Sequence, residues 1–411
     1  MAVGGQRSGS PQDGAALAGL KVVEFAHVIA GPLAGTLLAD LGADVVHVEP
    51  PGVGDTGRKM GPAKDGVHLW WKVAARNKRS LALDLRRPAG QQVARKLAEW
   101  ADVVITNLRA DTLTQWGIDW DALHELNRSL IYVQITGFGA NTSMRNAPGF
   151  GKVGEARSGV VHLTGFPDGP PVHTGFSHAD TVTALTAAYG ILAAAYRKAH
   201  DPDFRGEWID LALFEPLFRL VEWQVIVHDQ LGVAPGRSGN RLAIAPAAVV
   251  NTYLSGDGEW ITVTSATVRS VRNVAGLLGL AAEEFQTVEQ QVARSDELDD
   301  ALRGWIGQRS TDEALRAMAD AEVVASRIFS MDDIAADPIY AEREDIISVP
   351  DDELGSVRMQ AVVPKLHAHG GAVWRTGPPL GADNEAVCKN LLGMTDTDFD
   401  QLCAAGVLGH G

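Results

Sequence analysis

LKVVEFAHVIAGPLAGTLLADLGADVVHVEP, from Leu20 to Pro50, reads as strand, helix, strand. LKVVEFAH is a short apolar run of the kind that makes a strand. PLAGTLLADLGA carries apolar residues at helical spacing, with Pro32 where a first turn tolerates proline and Gly42 where a helix stops. ADVVHVEP is again strand-like. Two strands joined through a helix call for a parallel crossover, so the stretch is a βαβ unit. The pattern then continues outward. SLALDL (Ser80–Leu85) is a strand, PAGQQVARKLAEWA a helix with Pro88 near its first turn, DVVITN a strand, and SLIYVQITGFG a strand after two short helices. Such alternation implies an α/β fold, a Rossmann-like large domain with a mostly parallel sheet, and ligands at the carboxyl ends of its strands. The first strand-to-helix turn, HVIAGP (His27–Pro32), has no G-x-G-x-x-G, and no Walker-type G-K-[ST] occurs. Neither the usual dinucleotide site nor a P-loop is supported.

One carboxylate stands at an abrupt junction. Gly165, Pro167, Asp168, Gly169, Pro170, Pro171 and Gly175 punctuate the chain too heavily for a regular element. From Thr181 to Tyr196 the chain is uncharged and rich in Ala and Leu, which predicts a helix buried on most sides, with Arg197 and Lys198 in its last turn. Asp180 falls at the expected N-cap. An aspartate there caps the helix. The same place suits a nucleophile, since a shaped loop and a rigid helix fix the carboxylate and the positive helix end keeps it ionised.

The chain has 411 residues, 45% of them hydrophobic and 21% charged, as in a globular protein of two or three domains. A formal net charge of -15 argues against nucleic acid or an anionic membrane as partner. Cys388 and Cys403 are the two cysteines and have no metal-ligand spacing, which argues against a disulfide framework and a Cys-based zinc site and suits a reducing cytosol. MAVGGQRSGSPQDGA reads as a loose tail without the apolar core of a signal peptide, and no segment is long and apolar enough for a membrane span. Against the overall acidity, Lys72, Arg76, Lys78, Arg79, Arg86 and Arg87 fall within sixteen residues that hold one acid, Asp84. This is either a solvated basic face or a polyanion site, with Arg58, Lys59 and Arg109 on loops that could join it and phosphate as the obvious ligand.

Beyond the break HDPDFRGE lies an apolar segment carrying Glu215 and Glu222, for which a solvated or ion-paired role outweighs a catalytic one. From Pro235 the composition changes. VVNTYL and EWITVTS flank the turn SGDG as a hairpin, two or three helices follow to about Ala321, and a smaller α+β domain results. The strand-like runs VVASRIFS and VRMQAVVPKL lead to a final helix pair from about Asn384.

The series VVEFAHVIAGP, LADLGADVVHVEPPGVGD, NKRSLALDL, ADVVITN, TGFG, TGFPDGPP, GFSHAD, GEWID and SGNR runs in order through the chain. It resembles the family III coenzyme A transferases, the group containing formyl-CoA and carnitine CoA-transferases and the acylmethyl-CoA racemases. The resemblance implies an interlocked homodimer, with a large Rossmann-like domain built from both termini (19–225 and 330–411, after a flexible tail 1–18) and a small domain at 226–329. It also implies coenzyme A or acyl-CoA as substrate, with no tightly bound cofactor and no metal. The family's catalytic aspartate matches Asp180. Its CoA-contacting positions match Val28, Ile29 and Ala30 in the first turn, Leu83 and Arg86 after the basic strand, and Asn107, Leu108 and Arg109 after DVVITN. The activity implied is acyl-CoA:carboxylate CoA transfer through an aspartyl anhydride and an aspartyl-CoA thioester. A racemase or lyase of the same fold and a non-catalytic CoA-binding subunit of a heteromeric transferase are the alternatives.

Departures from the family pattern choose among these. Where racemases carry a His-Asp pair, this chain has Gly149, Phe150 and Gly151, and α-proton exchange needs two groups at the α-carbon. Formyl-type members have glutamine at the position of Ile29 and glutamate at that of Gly151, so a less polar or larger acyl group than oxalate is expected. Glu155, one helical turn beyond Gly151, could replace the missing carboxylate, stand just behind the site, or serve at the surface. His178 could orient Asp180 or bond to backbone.

Overall fold

The structure, a computed structural model, describes residues 14–221 and 223–409, so Glu222 and residues 1–13 of the tail lie outside the described residues. In chain order the elements are β1 (Lys21–Phe25), α1 (Ala30–Asp40), β2 (Asp44–Glu49), β3 (Ala63–Lys64), β4 (Val67–His68), α2 (Leu69–Ala74), β5 (Arg79–Ala82), α3 (Pro88–Trp100), β6 (Val103–Thr106), α4 (Ala110–Trp116), α5 (Trp120–Leu126), β7 (Ile131–Thr136), α6 (Gly151–Arg157), α7 (Val160–Leu163), α8 (His178–His200), β8 (Glu207–Ala212) and α9 (Glu215–Leu220). Six strands form one parallel sheet in the order β5-β2-β1-β6-β7-β8. The order reverses between β1 and β6. Loops leaving those two strands diverge, and a crevice opens at their carboxyl ends.

Both faces of the sheet are covered, which is why its strands read as continuous apolar runs. Val22, Val103, Ile105 and Val133 pack with Ala34 and Leu38 of α1 and with Ala184, Ala187 and Ile191 of α8. Their strand neighbours Val23, Phe25, Val104 and Tyr132 point the other way, onto Val93 and Leu97 of α3 and Leu123 of α5. The C-terminal segment finishes the edge. Asn384 Oδ1 accepts from the Ala82 N–H at 2.8 Å while its Nδ2 donates to the Gly409 carbonyl at 2.7 Å, and Asp383 accepts from the Ser80 N–H at 2.8 Å. Covering β5 in this way removes an open strand edge.

The chain divides into two compact units, Met1–Val160 with Thr174–Glu222 and Ala341–Gly411, and Val161–His173 with Trp223–Tyr340. The second holds α10 (Trp223–Leu231), β9 (Val249–Leu254), β10 (Trp260–Ser265), α11 (Val268–Leu277), α12 (Val288–Ala293), α13 (Ser295–Gly307), α14 (Thr311–Asp320), β11 (Ala325–Arg327) and α15 (Met331–Ala336), with α16 (Pro338–Glu342) at its end. The expected hairpin is β9–β10, and β11 extends it to three antiparallel strands over a core that includes Tyr253, Phe285 and Leu302. Four helices stand where two or three were expected. The short α12 is marked by a Thr287–Gln290 capping box, a signal the sequence carries. In the first unit, β12 (Ile346–Asp351) and β13 (Gly355–Gln360) form a separate hairpin, and α17 (Asp396–Ala404) comes last. Among the described residues no helix is long and apolar enough to cross a membrane.

Four of the six cations in the basic cluster are already taken by ion pairs within the protein. Lys72 pairs with Asp351 at 2.9 Å, Arg76 with Asp40 at 2.5 Å, Lys78 with Glu24 at 2.9 Å and Arg79 with Asp44 at 2.8 Å. Arg58 is likewise taken by Glu49 at 2.6 Å. Lys78 and Glu24 are both fully buried, and removing one member of such a pair costs about 3–5 kcal/mol because the other is left uncompensated. These cations are therefore committed to partners inside the large unit. Arg86 and Arg87 alone of the six keep exposed side chains, at 75% and 51%, both facing Asp84. The partners lie on other elements, Asp40 at the end of α1 among them, so the local charge count along 72–87 could not reveal them.

Candidate active site

The loop between β1 and α1 lies at the switch point of the sheet. Its backbone is clamped from the β6 side, where Asn107 Oδ1 accepts from the His27 N–H at 2.9 Å and Asn107 Nδ2 donates to the His27 carbonyl at 2.7 Å. Val28 follows with φ of 68°, a left-handed conformation that costs a β-branched residue about 1–3 kcal/mol. Its N–H donates to both carboxylate oxygens of Asp55, at 3.0 and 3.1 Å.

Three adjoining cavities share this loop. The first, about 460 Å³, lies among Val48, Leu83, Arg86, Leu108 and Trp116. The second, about 410 Å³, is lined by Asn107, Leu108, Arg109, Arg145 and Phe150. The third, about 360 Å³, is lined by Val28, Ile29, Ala30, Asn107, Gly151, Lys152, Asp180 and Leu213. His27 borders all three. Asp180 and the eight positions carried over from the family thus lie along one groove, with the aspartate in its third cavity. Burial lowers the His27 pKa from its ordinary value, with Asp55 opposing and His47 adding to the effect. This favours the neutral imidazole.

Asp180 is not an N-cap. The helix α8 begins at His178 with Ser177 as cap residue, so Asp180 is in the first helical turn. Serine is a good cap residue, and an acid one turn in suits the dipole, so the earlier start violates no rule of helix geometry. Nor is α8 buried on most sides. Ala179, Thr183, Ala184, Ala187, Ile191 and Ala194 are buried, whereas Leu185, Tyr189 and Tyr196 on the other face are 52%, 75% and 68% exposed.

The electrostatics of Asp180 also depart from expectation. Burial, reinforced by the Glu155 carboxylate and opposed by Lys152, pushes its pKa up to about 6. The helix end does not hold it low. Gly151, the first residue of α6, is what admits the carboxylate: a Cβ there would overlap Asp180 Oδ2 and stand 2.8 Å from its Cγ. Nearby, Gly137 and Gly149 cross so closely that a Cβ on Gly137 would meet the Gly149 Cα at 2.8 Å. Glu155 is not a surface residue. It is 1% exposed, and Lys152 Nζ reaches its two oxygens at 2.9 and 3.0 Å while also donating to the carbonyls of Thr174 and Phe176, each at 2.9 Å. One lysine therefore neutralises Glu155 and ties α6 to the segment leading into α8. His178 packs its ring 5.3 Å from that of Phe176, and its buried Nδ1 makes no hydrogen bond, so it bonds neither Asp180 nor backbone through that atom. Glu215 Oε2 accepts from the Ala212 N–H at 2.8 Å and closes the turn before α9.

Replacing Glu155 with glutamine removes a neighbouring negative charge, so the Asp180 carboxylate ionises more easily. Its titration midpoint is expected to fall below about 6, and to stay above the ordinary carboxylate value because burial persists. Side-chain carbonyl ¹³C shifts followed against pH check this; an unchanged midpoint would mean that Glu155 exerts no field on Asp180.

Sequence reasoning passed over Arg145, Lys152 and Asp55. Lys152 and Glu155 were visible as an i, i+3 pair on a short helix. Arg145 lies in the loop TSMRNAP, and nothing local marks it as facing a groove.

Comparisons agree with this geometry. The model of the family "CoA-transferase family III" matches residues 17–384. A succinyl-CoA–D-citramalate CoA-transferase of Chloroflexus aurantiacus is 37% identical over 395 residues, covering 95% of this chain and 97% of the relative. A succinate–glutarate CoA-transferase of Agrobacterium fabrum is 34% identical over 333 residues, covering 78% and 82%. The crystal structure of a CaiB/BaiF family protein from Brucella suis superposes with a TM-score of 0.80 at 30% identity, covering 92% of this chain and all of that one. With sheet order, groove and sequence in agreement, this chain belongs to the family III CoA-transferases.

Proposed function

We propose that the protein moves CoA between dicarboxylic acids, with Asp180 as the nucleophile. The observation that carries the mechanism is the Asp180 carboxylate in the third cavity, against a residue, Gly151, that has no side chain to obstruct it. Asp180 attacks the thioester carbonyl of the donor, forming a mixed anhydride and releasing CoA thiolate. The thiolate attacks the aspartyl carbonyl, which gives an aspartyl-CoA thioester and frees the donor acid. The acceptor carboxylate then attacks that thioester, and the returning thiolate takes the acyl group, regenerating Asp180. Each step exchanges one acyl bond for another, so thioester energy is conserved without a redox partner. Raised basicity makes Asp180 a better nucleophile than an ordinary carboxylate, once ionised above about pH 6.

In this reading the nucleotide end of CoA lies toward Leu83, Arg86 and Leu108, and the pantetheine passes Asn107 and the loop Val28–Ala30. Arg109 and Arg145, on the second cavity, supply positive charge. The basic contribution comes from these, in place of the cluster at 72–79. Dicarboxylates are favoured because the relatives are named for succinyl-CoA with citramalate and for succinate with glutarate. Racemisation is disfavoured, since Gly149, Phe150 and Gly151 offer no acid or base. The apolar face of α8 at Leu185, Tyr189 and Tyr196 is what an interlocked second copy would cover. The purified protein, given succinyl-CoA and a set of C4 and C5 dicarboxylic acids, is expected to form the corresponding CoA thioesters and free succinate. Hydrolysis alone, or α-deuterium exchange without transfer, would contradict the reading.

A further inference from the structure

Behind Val28 stands a buried line of alternating charge that the reaction itself does not use. Lys78 Nζ lies 2.9 Å from Glu24 Oε1, Glu24 Oε2 lies 2.7 Å from His47 Nδ1, and His47 Nε2 lies 3.3 Å from Asp55 Oδ2. All four side chains are almost fully buried. Lys78 also donates to the Pro32 carbonyl in α1 at 2.5 Å, so both ends of the line touch the backbone of the β1–α1 segment. Burial alone would lower the His47 pKa, yet the nearby carboxylates of Asp55 and Glu24, the latter hydrogen-bonded to Nδ1 at 2.7 Å, push it up to about 9. His47 is therefore a cation, and the sequence of charges is plus, minus, plus, minus. Asp55 is fixed further by donors from the Val28 and Gly57 backbones, and its own N–H donates to Glu49 Oε2 at 2.9 Å. A carboxylate so placed accepts two close contacts from one strained N–H. Burying several charges to hold a single turn makes little sense for fold stability alone, because apolar side chains would fill the space at less desolvation cost.

We propose that Asp55, backed by His47, Glu24 and Lys78, is a positioning residue that holds Val28 left-handed and thereby sets where His27, Ile29 and Ala30 meet the bound thioester. This rests on the CoA-transfer reading for its catalytic consequence only; the holding of Val28 is testable without activity. With the charge and one of the two acceptor oxygens gone, the Val28 backbone relaxes toward negative φ, and the loop that borders all three cavities turns with it. Glycine adopts positive φ without the steric penalty of a β-branched side chain, so it should need Asp55 less.

The test compares Asp55→Asn, Val28→Gly and the double variant, in the full-length protein, with a donor and acceptor that the wild type uses. Asp55→Asn is expected to lower kcat about tenfold or more, with KM for acyl-CoA changed less, because misplacement of a reacting group falls on the chemical step. The double variant is expected to be about threefold or more faster than Asp55→Asn, since glycine relieves the strain that asparagine no longer offsets. A kcat for Asp55→Asn within about twofold of wild type, or a folded double variant no faster than Asp55→Asn, would overturn the proposal. Hydrogen exchange of residues 26–31 in the wild type, read by mass spectrometry, decides independently of folding of the variants and of any activity. Exchange as slow as in β1 supports a held Val28 N–H, and exchange as fast as in an open loop overturns it. Should the wild type transfer no CoA, the functional reading fails while this last measurement still tests the strut.

Discussion

Asp180→Ala is expected to lower CoA transfer by about 10³-fold or more, as removal of a covalent nucleophile does when no neighbour replaces it. Glu155 is the neighbouring carboxylate whose charge raises the Asp180 pKa, and it is held by Lys152, so it is not free to attack in its place. Asp180→Asn should be as inactive and more stable at neutral pH. The sign follows from the raised pKa. A carboxyl that ionises at about 6 in the folded protein, and near the ordinary value of about 3.9 when unfolded, destabilises the fold wherever it is charged in both states. That penalty is full above about pH 6, shrinks as pH falls between the two values, and vanishes below the unfolded one. Thermal unfolding of wild type and Asp180→Asn at about pH 7.5, above both values, and at about pH 4, close to the unfolded one, checks it, with the larger gain in melting temperature expected at the higher pH. A nucleophile that costs stability is what a functional site, as opposed to a capping residue, would show.

Gly151→Ala carries the second large effect. Alanine is the better helix former by about 1 kcal/mol in an exposed interior, so the helix itself should not object. The added methyl would overlap Asp180 Oδ2 and press to 2.8 Å on its Cγ, so the carboxylate has to swing away from its present orientation. A displacement of about 1 Å at a reacting atom costs about 10²-fold in rate. The expected outcome is a kcat loss of that order with the circular dichroism of wild type. Unchanged kcat would mean that Asp180 attacks from another rotamer.

The large unit was legible because a parallel sheet buried on both faces writes itself as apolar runs separated by helical ones; β1, β2, β6 and β7 are all of this kind. The site loops were legible for a related reason, since the carboxyl ends of β1 and β6 flank the reversal in strand order. What failed were statements that depend on distant partners. Lys72, Lys78 and Arg79 looked like ligand-binding cations because their counter-charges, Asp351, Glu24 and Asp44, lie elsewhere in the chain. The position of Asp180 in its helix failed more locally. Ser177 and Asp180 are both residue types that favour an N-cap, and the helix starts at His178 without a side-chain cap bond, so residue type alone did not choose between them. Its pKa was misjudged for the same reason as the cluster: Glu155 and the burying walls come from α6 and the sheet, and a helix dipole acting alone would have given the opposite sign.

The central claim is that CoA passes through a covalent bond to Asp180. Enzyme mixed with succinyl-CoA in the absence of acceptor, quenched in acid, digested and analysed by mass spectrometry, tests it most directly. The account predicts that the peptide containing Asp180 gains the mass of CoA less one water, and that hydroxylamine added before quenching converts the same residue to a hydroxamate. An adduct on another residue, or continued turnover with Asp180 never modified, would contradict it.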